Sequence, residues 1–328
     1  MGIKAPPNAM DSSVVDSMDP TKDPKELESS PSTQAKKISP QRRATMISSC
    51  VACVLIVVKF VAGIISGSVA ILASAIDSLL DLSASLFNLY AITKAEQPAC
   101  VKFNYGRGKI ESLAAVIEGS VIVVSGIFIL YQSFKKIALG SELARLDLSV
   151  FVMIFSLIVT ACLVLYLNYV AKMSNNLVIQ ADALHYKTDL LSNGAVLVAL
   201  VLVKLTGFEI IDALFGIAIG LYVGYSAFGL LKQGVLVLLD RALDDEKLTA
   251  IKEILDSATE VKSYHDLKTR QSGDTHFVEV HLVFSPDILL KDAHAVADML
   301  ECKIQNLQEQ WQGQWVVITH LDPYEPLG

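Results

Sequence analysis

Charge is scarce in this sequence. Only 19% of its 328 residues are Asp, Glu, Lys or Arg, and they are unevenly spread. Long stretches between residues 45 and 239 are nearly free of charge, while both ends are polar. A soluble chain of this length needs a more charged surface. A mean hydropathy of +0.48, with 52% hydrophobic residues, points to a polytopic membrane protein. Cysteine is also scarce. The five are Cys50, Cys53, Cys100, Cys162 and Cys302. An odd count with three in apolar runs does not make a disulfide framework. Cys50 and Cys53 read as small packing residues of the first apolar run. No basic patch interleaved with aromatics is present, which speaks against a nucleic-acid partner. The net charge of −7 decides little by itself. Residues 1–43 contain no apolar run, so a disordered tail is expected there and no signal peptide.

What is abundant is apolar sequence in blocks of membrane length. A crossing needs about 20 mostly apolar residues. Six blocks qualify: 45–66, 69–92, 112–134, 148–170, 178–206 and 210–239. The first two are joined by a bare Gly-Ser hinge near Gly67. The second and third are joined by a longer polar loop, 94–109. Lys36, Lys37, Arg42, Arg43, Lys94, Lys102, Arg107, Lys109 and Lys172 fall on one side. Lys135, Lys136, Arg145 and Lys204 fall on the other. The bias predicts both termini in the cytoplasm. The expected organisation is therefore a tail (1–43), a six-helix transmembrane domain (44–239) and a soluble domain (240–328).

The soluble portion reads as a small α+β module. An amphipathic helix over 245–258, strands near 265–270 and 275–284, a helix over 291–308 and a last strand over 315–321 give αββαβ. A ferredoxin-like antiparallel sheet with helices on one face is expected.

Ionisable groups inside a membrane span are costly, so each needs a cause. The second span holds Asp77 and Asp81, and the fifth holds His185 and Asp189. Both pairs are four apart, which puts each pair on one helix face. Two such faces can converge on one ion. Three carboxylates and one imidazole suit zinc, and equally ferrous iron, manganese, cobalt or cadmium. The alternative is that these residues cap helices or pair with a buried cation such as Lys59. Asp182, one turn before His185, is expected to line a path or lie near an interface, with a direct ligand role as the lesser reading; Glu118 in the third span and Asp212 in the sixth are weaker candidates. In the soluble part, five of the six histidines cluster: His265, His276, His281, His294 and His320. His320 and Asp322 are two apart on one strand and share a face. His276 and His281 are five apart and face opposite ways.

The sequence resembles the cation diffusion facilitators. The resemblance is carried by S-x-x-x-L-A-x-x-x-D-S-L-x-D over Ser68–Asp81 and Y-G-R-G-K-x-E-S over Tyr105–Ser112. A-D-A-L-H-Y-K-T-D over Ala181–Asp189, L-L-D-R-A-L over Leu238–Leu243 and H-D-L-K-T-R-Q-S-G over His265–Gly273 extend it. It runs from about Met46 to the C-terminus, and the pattern is most similar to the ferrous-iron and zinc efflux branch. The resemblance implies a homodimeric metal/proton antiporter of the bacterial inner membrane, with Asp77, Asp81, His185 and Asp189 as its transport site. It also implies a cytoplasmic metal site of His265, His281, His294, His320 and Asp322. His276 is left as a surface residue. Divalent ions are then substrate and regulatory ligand, with no prosthetic group expected.

Two departures carry expectations of their own. The 94–109 loop contains neither His nor Asp, and Arg107 stands where the branch often has a histidine. A peripheral metal site in this loop is therefore not expected, and Arg107 is a candidate partner for an acid of the C-terminal domain. Lys109 and Asp240, at the ends of the third and sixth spans, are expected to form an ion pair between the two domains. Gly106–Lys109 resembles part of a P-loop, but Phe103 and Ile110 occupy its Gly and Ser/Thr positions, so ATP hydrolysis is not expected. The remaining alternatives are a membrane metal sensor or scaffold without transport, and a membrane metalloprotease. The latter lacks the H-E-x-x-H it would need.

Overall fold

The computed structural model describes residues 39–66, 69–139, 149–206 and 210–324. The tail before Ser39, the hinge at Gly67 and Arg145 lie outside them. Six long helices come first: α1 (Pro40–Ser66), α2 (Val69–Ala95), α3 (Lys109–Leu139), α4 (Ser149–Ser174), α5 (Leu177–Thr206) and α6 (Ile210–Leu238). Five of them are apolar and long enough to cross a membrane. The exception is α5, whose first half carries Asp182, His185, Lys187 and Asp189.

Local chemistry sets the helix ends. α1 begins at Pro40, four residues before the expected domain boundary. Proline suits a first helical position, and Ser39 Oγ caps it by accepting from Arg42 N at 3.1 Å. Between α4 and α5, Asn175 takes a left-handed conformation with φ 48°. Asn176 then caps α5, its Oδ1 accepting from Val178 N (3.0 Å) and Ile179 N (3.3 Å). This two-asparagine corner fixes the start of the helix that carries His185. α6 ends in a paired C-terminal turn: Arg241 N donates to Leu236 O and Asp240 N to Val237 O. Asp240 supplies the left-handed residue, φ 56°, that such a turn requires.

Within the bundle, α3 and α6 approach closely through glycine. A Cβ built on Gly220 would lie 2.7 Å from Leu130 Cγ, and one on Gly126 would lie 3.4 Å from Gly220 O. Small residues let helices touch where lipid provides no hydrophobic drive. A second buried cluster joins Ala44, Ala91, Ile92, Ala114, Leu163, Leu167, Val178, Ile179 and Tyr186 from the first five helices. Large apolar side chains such as Ile65, Leu165 and Phe228 point outward. Cys50 and Cys53 are also exposed, on the outward side of α1.

The C-terminal domain follows as α7 (Asp245–Asp256), β1 (Ser263–Ser272), β2 (Thr275–Phe284), α8 (Leu290–Gln305), a 3₁₀ turn (Asn306–Glu309) and β3 (Gln314–Pro323). The order αββαβ is as expected; the sheet is not antiparallel throughout. β1 pairs with β2 antiparallel, but β3 pairs with β2 parallel, in the order β1-β2-β3. The reason is the connection. A tight turn at Gly273 reverses the chain between β1 and β2, while α8 carries it back across the sheet, as a parallel neighbour requires. On β2 alternate residues His276, Val278, Val280, Leu282 and Phe284 are buried. The four apolar ones pack with Ile251 and Leu255 of α7 and with Ala293, Ala297, Leu300 and Ile304 of α8. The opposite face of the sheet holds His281.

Candidate metal sites

Two helices build the first candidate site. Asp81 projects from α2 and His185 and Asp189 from α5. His185 Nε2 lies 3.3 Å from Asp81 Oδ1 and 3.7 Å from Asp189 Oδ2. One ligand atom from each of the three falls within 4.8 Å of the others. The helices are held in register beside this site by Ser85 and Tyr186, whose hydroxyls are 2.8 Å apart in the buried interior. Ser85 is one turn from Asp81, and Tyr186 is adjacent to His185. Asp189 Oδ2 is buried without a hydrogen bond. A buried carboxylate oxygen without a hydrogen bond is suited to holding a cation. Asp77 is exposed, one turn from Asp81, and stands outside the three-residue group. Lys59 turns toward α2. Its Nζ donates to Ser78 Oγ at 2.7 Å, close to the acidic face.

Three strands build the second site. The register sets His265 opposite His281 and His281 opposite His320, so one imidazole from each strand lies in a row across the sheet. The ring centroids are 5.0 Å and 4.7 Å apart. Asp322 lies at the hub: its carboxylate is 2.9 Å from His281 Nδ1, 3.2 Å from His265 Nε2 and 3.1 Å from His320 Nε2. The hydrogen bond from His281, then the charges of His320, His281 and His265, hold the Asp322 carboxyl below the usual range. A bulge after His265, with Asp266 at φ 52°, bends β1 next to the cluster. His294 is apart, exposed on α8 and 3.7 Å from Asp298.

His276 is not a surface residue. It belongs to the core face of β2, is 3% exposed, and stacks on Trp315 with centroids 4.6 Å apart. Lys247 Nζ is 3.0 Å from His276 Nε2 and donates to it. Burial, then the Lys247 charge, pushes the His276 pKa down to about 4. Arg107 likewise departs from expectation. It stays within its own loop, bonding Gln97 Oε1 and covering the Phe103 ring at 4.4 Å. The metal-competent groups found among the described residues do not include that loop.

At the junction of the domains, Lys109 Nζ sits 2.9 Å from Asp240 Oδ1, and Arg270 Nη1 of β1 lies 3.6 Å from the same oxygen. Arg270 also covers the rings of Tyr105 and Phe277, at 4.9 Å and 4.3 Å. Sequence reasoning saw Lys109 and Asp240 but missed Arg270. The motif around it gave no sign that β1 returns to the bundle.

With the geometry in place, comparison with known proteins identifies the lineage. Residues 45–239 match the cation efflux transmembrane domain, and residues 243–324 match the cation efflux protein cytoplasmic domain. The chain belongs to the cation efflux family. The cation-efflux pump FieF of Serratia proteamaculans is 38% identical over 282 residues, covering 86% of this chain and 92% of the relative. FieF of Pectobacterium atrosepticum is 39% identical over 280 residues, covering 85% and 92%. FieF of Escherichia coli O1:K1 is 38% identical over 281 residues, covering 86% and 92%. This cation efflux protein is thus a multi-pass membrane transporter of metal cations with a cytoplasmic domain containing a small sheet.

Proposed function

We propose that this protein exports a divalent metal ion, zinc or ferrous iron, from the cytoplasm in exchange for protons. The carrying observation is the convergence of Asp81, His185 and Asp189 from two helices, with Asp189 Oδ2 buried without a hydrogen bond and His185 Nε2 3.7 Å away. Asp77, one turn away, completes an O₃N set. All six helices then span the bilayer, the partly polar α5 being shielded by its neighbours, with both termini cytoplasmic. The relatives' bacterial origin favours the inner membrane.

The coupling follows from the ligands. His185 binds metal only when neutral, and the carboxylates only when ionised, so arriving metal displaces protons. The same groups reload with protons on the other face. Alternating access rocks the bundle around the site. Asp77 is exposed, so it meets the ion first as the hydration shell is shed. In the cytoplasmic domain, His281, His320 and Asp322, with His265 beside them, would hold a regulatory ion. Bound, it supplies a cross-link among strands and, with His294, between two copies of the chain in a homodimer. That would bias the dimer toward one arrangement.

The test is flux. The protein is reconstituted in liposomes with a metal-sensitive dye inside, and a pH gradient is imposed. Zinc and ferrous iron are compared in the wild type and in Asp81→Ala. Proton-dependent flux lost by at least about 100-fold in the variant is expected, as for removal of a group acting directly on the substrate. No flux in the wild type, with metal still bound by the cytoplasmic histidines, would favour a sensor or scaffold instead.

A further inference from the structure

A second polar cluster lies inside the bundle, away from the metal ligands. Asn88 of α2 is fully buried, and its Nδ2 donates to Glu118 Oε2 of α3 at 2.9 Å and to Asp182 Oδ1 of α5 at 3.3 Å. Asp182 is likewise fully buried, and Glu118 is 6% exposed. One oxygen of each remains buried without a partner: Asn88 Oδ1, Glu118 Oε1 and Asp182 Oδ2. The titratable groups facing the pair are Asp81 from α2 and His185 and Tyr186 from α5; α1 offers the Ser48 hydroxyl.

All three orphans are acceptors, so what the cluster lacks is a donor or a cation. Two buried carboxylates sharing one amide cannot both stay ionised without one. A metal ion fits poorly, because the Asn88 NH₂ group occupies the position between the carboxylates where a bridging cation would sit. A proton fits: on Glu118 Oε1 or Asp182 Oδ2 it removes a charge and supplies the missing donor. Position matters too. Asn88 is seven residues beyond Asp81, and Asp182 three before His185. At 1.5 Å per helical residue this sets the cluster roughly 5–10 Å from the metal site, toward the end of the bundle that meets the cytoplasmic domain.

We propose that Asn88, Glu118 and Asp182 form a proton-holding site separate from the metal ligands, and that it relays protons between them and the cytoplasmic face. The relay role rests on the exchange reading above; the proton occupancy does not. In the relay, a proton leaving the metal site forms an O–H bond on Glu118 or Asp182. That bond then breaks to water on the cytoplasmic side, so the cluster is unchanged after each turn. Asn88 positions both acids and takes no proton itself.

The experiment uses the full-length chain in proteoliposomes, as wild type, Glu118→Gln, Asp182→Asn and the double variant. Infrared spectra of the metal-free protein at pH 7.5 come first. A protonated carboxyl band in the wild type that the double variant lacks is expected; identical spectra would overturn the proposal. Zinc flux is then read in two modes. Proton-coupled flux should fall by about 10-fold or more on losing an acid–base group. Isotopic zinc-for-zinc exchange, without a pH gradient, should persist near the wild-type rate. Equal loss in both modes would mean a structural role, and no loss in either would remove the relay; each sinks that half of the proposal. A wild type with the band but without proton-coupled flux would bring down the exchange reading and the relay together, leaving the proton-holding pair in place.

Discussion

His276 shows how one residue's role depends on which face of a strand it occupies. Its burial beside Lys247 and Trp315 keeps it neutral, with a pKa near 4, against about 6.5 for an unfolded histidine. Between those values the unfolded chain binds the extra proton. The cytoplasmic domain therefore loses stability as pH falls from about 6.5 toward about 4, and His276 contributes no slope above that window. Trp311 and Trp315 are the two tryptophans of the chain, and both lie in this domain. Their fluorescence in full-length protein follows its unfolding alone. In metal-free protein, the denaturation midpoint should drop with acidification more steeply in wild type than in His276→Gln. Parallel slopes would show that another group carries the dependence.

At the scale of elements, the turn between β1 and β2 is pressed against the entry to α3. A Cβ on Gly108 would lie 2.4 Å from Ser272 O and 2.8 Å from Gly273 N. These are backbone atoms that cannot rotate away. Gly273 itself has φ 58° and would set a Cβ 3.0 Å from Gly108 Cα. Gly108→Ala should therefore lift the hairpin turn off the bundle, at an overpacking cost of about 1–3 kcal/mol. Faster hydrogen exchange at Ser272–Asp274, with helices α4 and α5 unchanged, is the expected signature. Unaltered protection of that turn would mean the two segments separate freely in solution.

At the scale of the whole molecule, Asp240 joins the two domains in two ways. Its backbone terminates α6, and its carboxylate lies between Lys109 of the bundle and Arg270 of the sheet. Motion of the cytoplasmic domain can reach α3 and α6 through this contact. Reversing either charge of the Lys109–Asp240 pair should lower zinc flux by about fivefold or more, the low end of a coupling between sites. The swapped double variant should recover much of it. Rescue will be partial, because Asp240→Lys also faces Arg270. No recovery at all would place the coupling elsewhere. Asp240→Gly separates the two roles, since glycine satisfies the turn but not the ion pair.

Much of this was legible in the amino-acid order. Apolar blocks set the helices, because a membrane span must satisfy its backbone internally whatever surrounds it. Four-residue spacing put Asp81 with Asp77 and His185 with Asp189, because helical periodicity is local. Strand alternation set His276 and His281 on opposite faces for the same reason. What local order could not decide was which of those faces met the helices, and that buried His276. It could not decide that α8 would return β3 parallel to β2, nor that Arg107 would close on its own loop. Nor could it bring Asn88, Glu118 and Asp182 together from three helices. Those outcomes depend on contacts between segments far apart in the chain, where packing selects among faces and partners that local periodicity leaves equivalent.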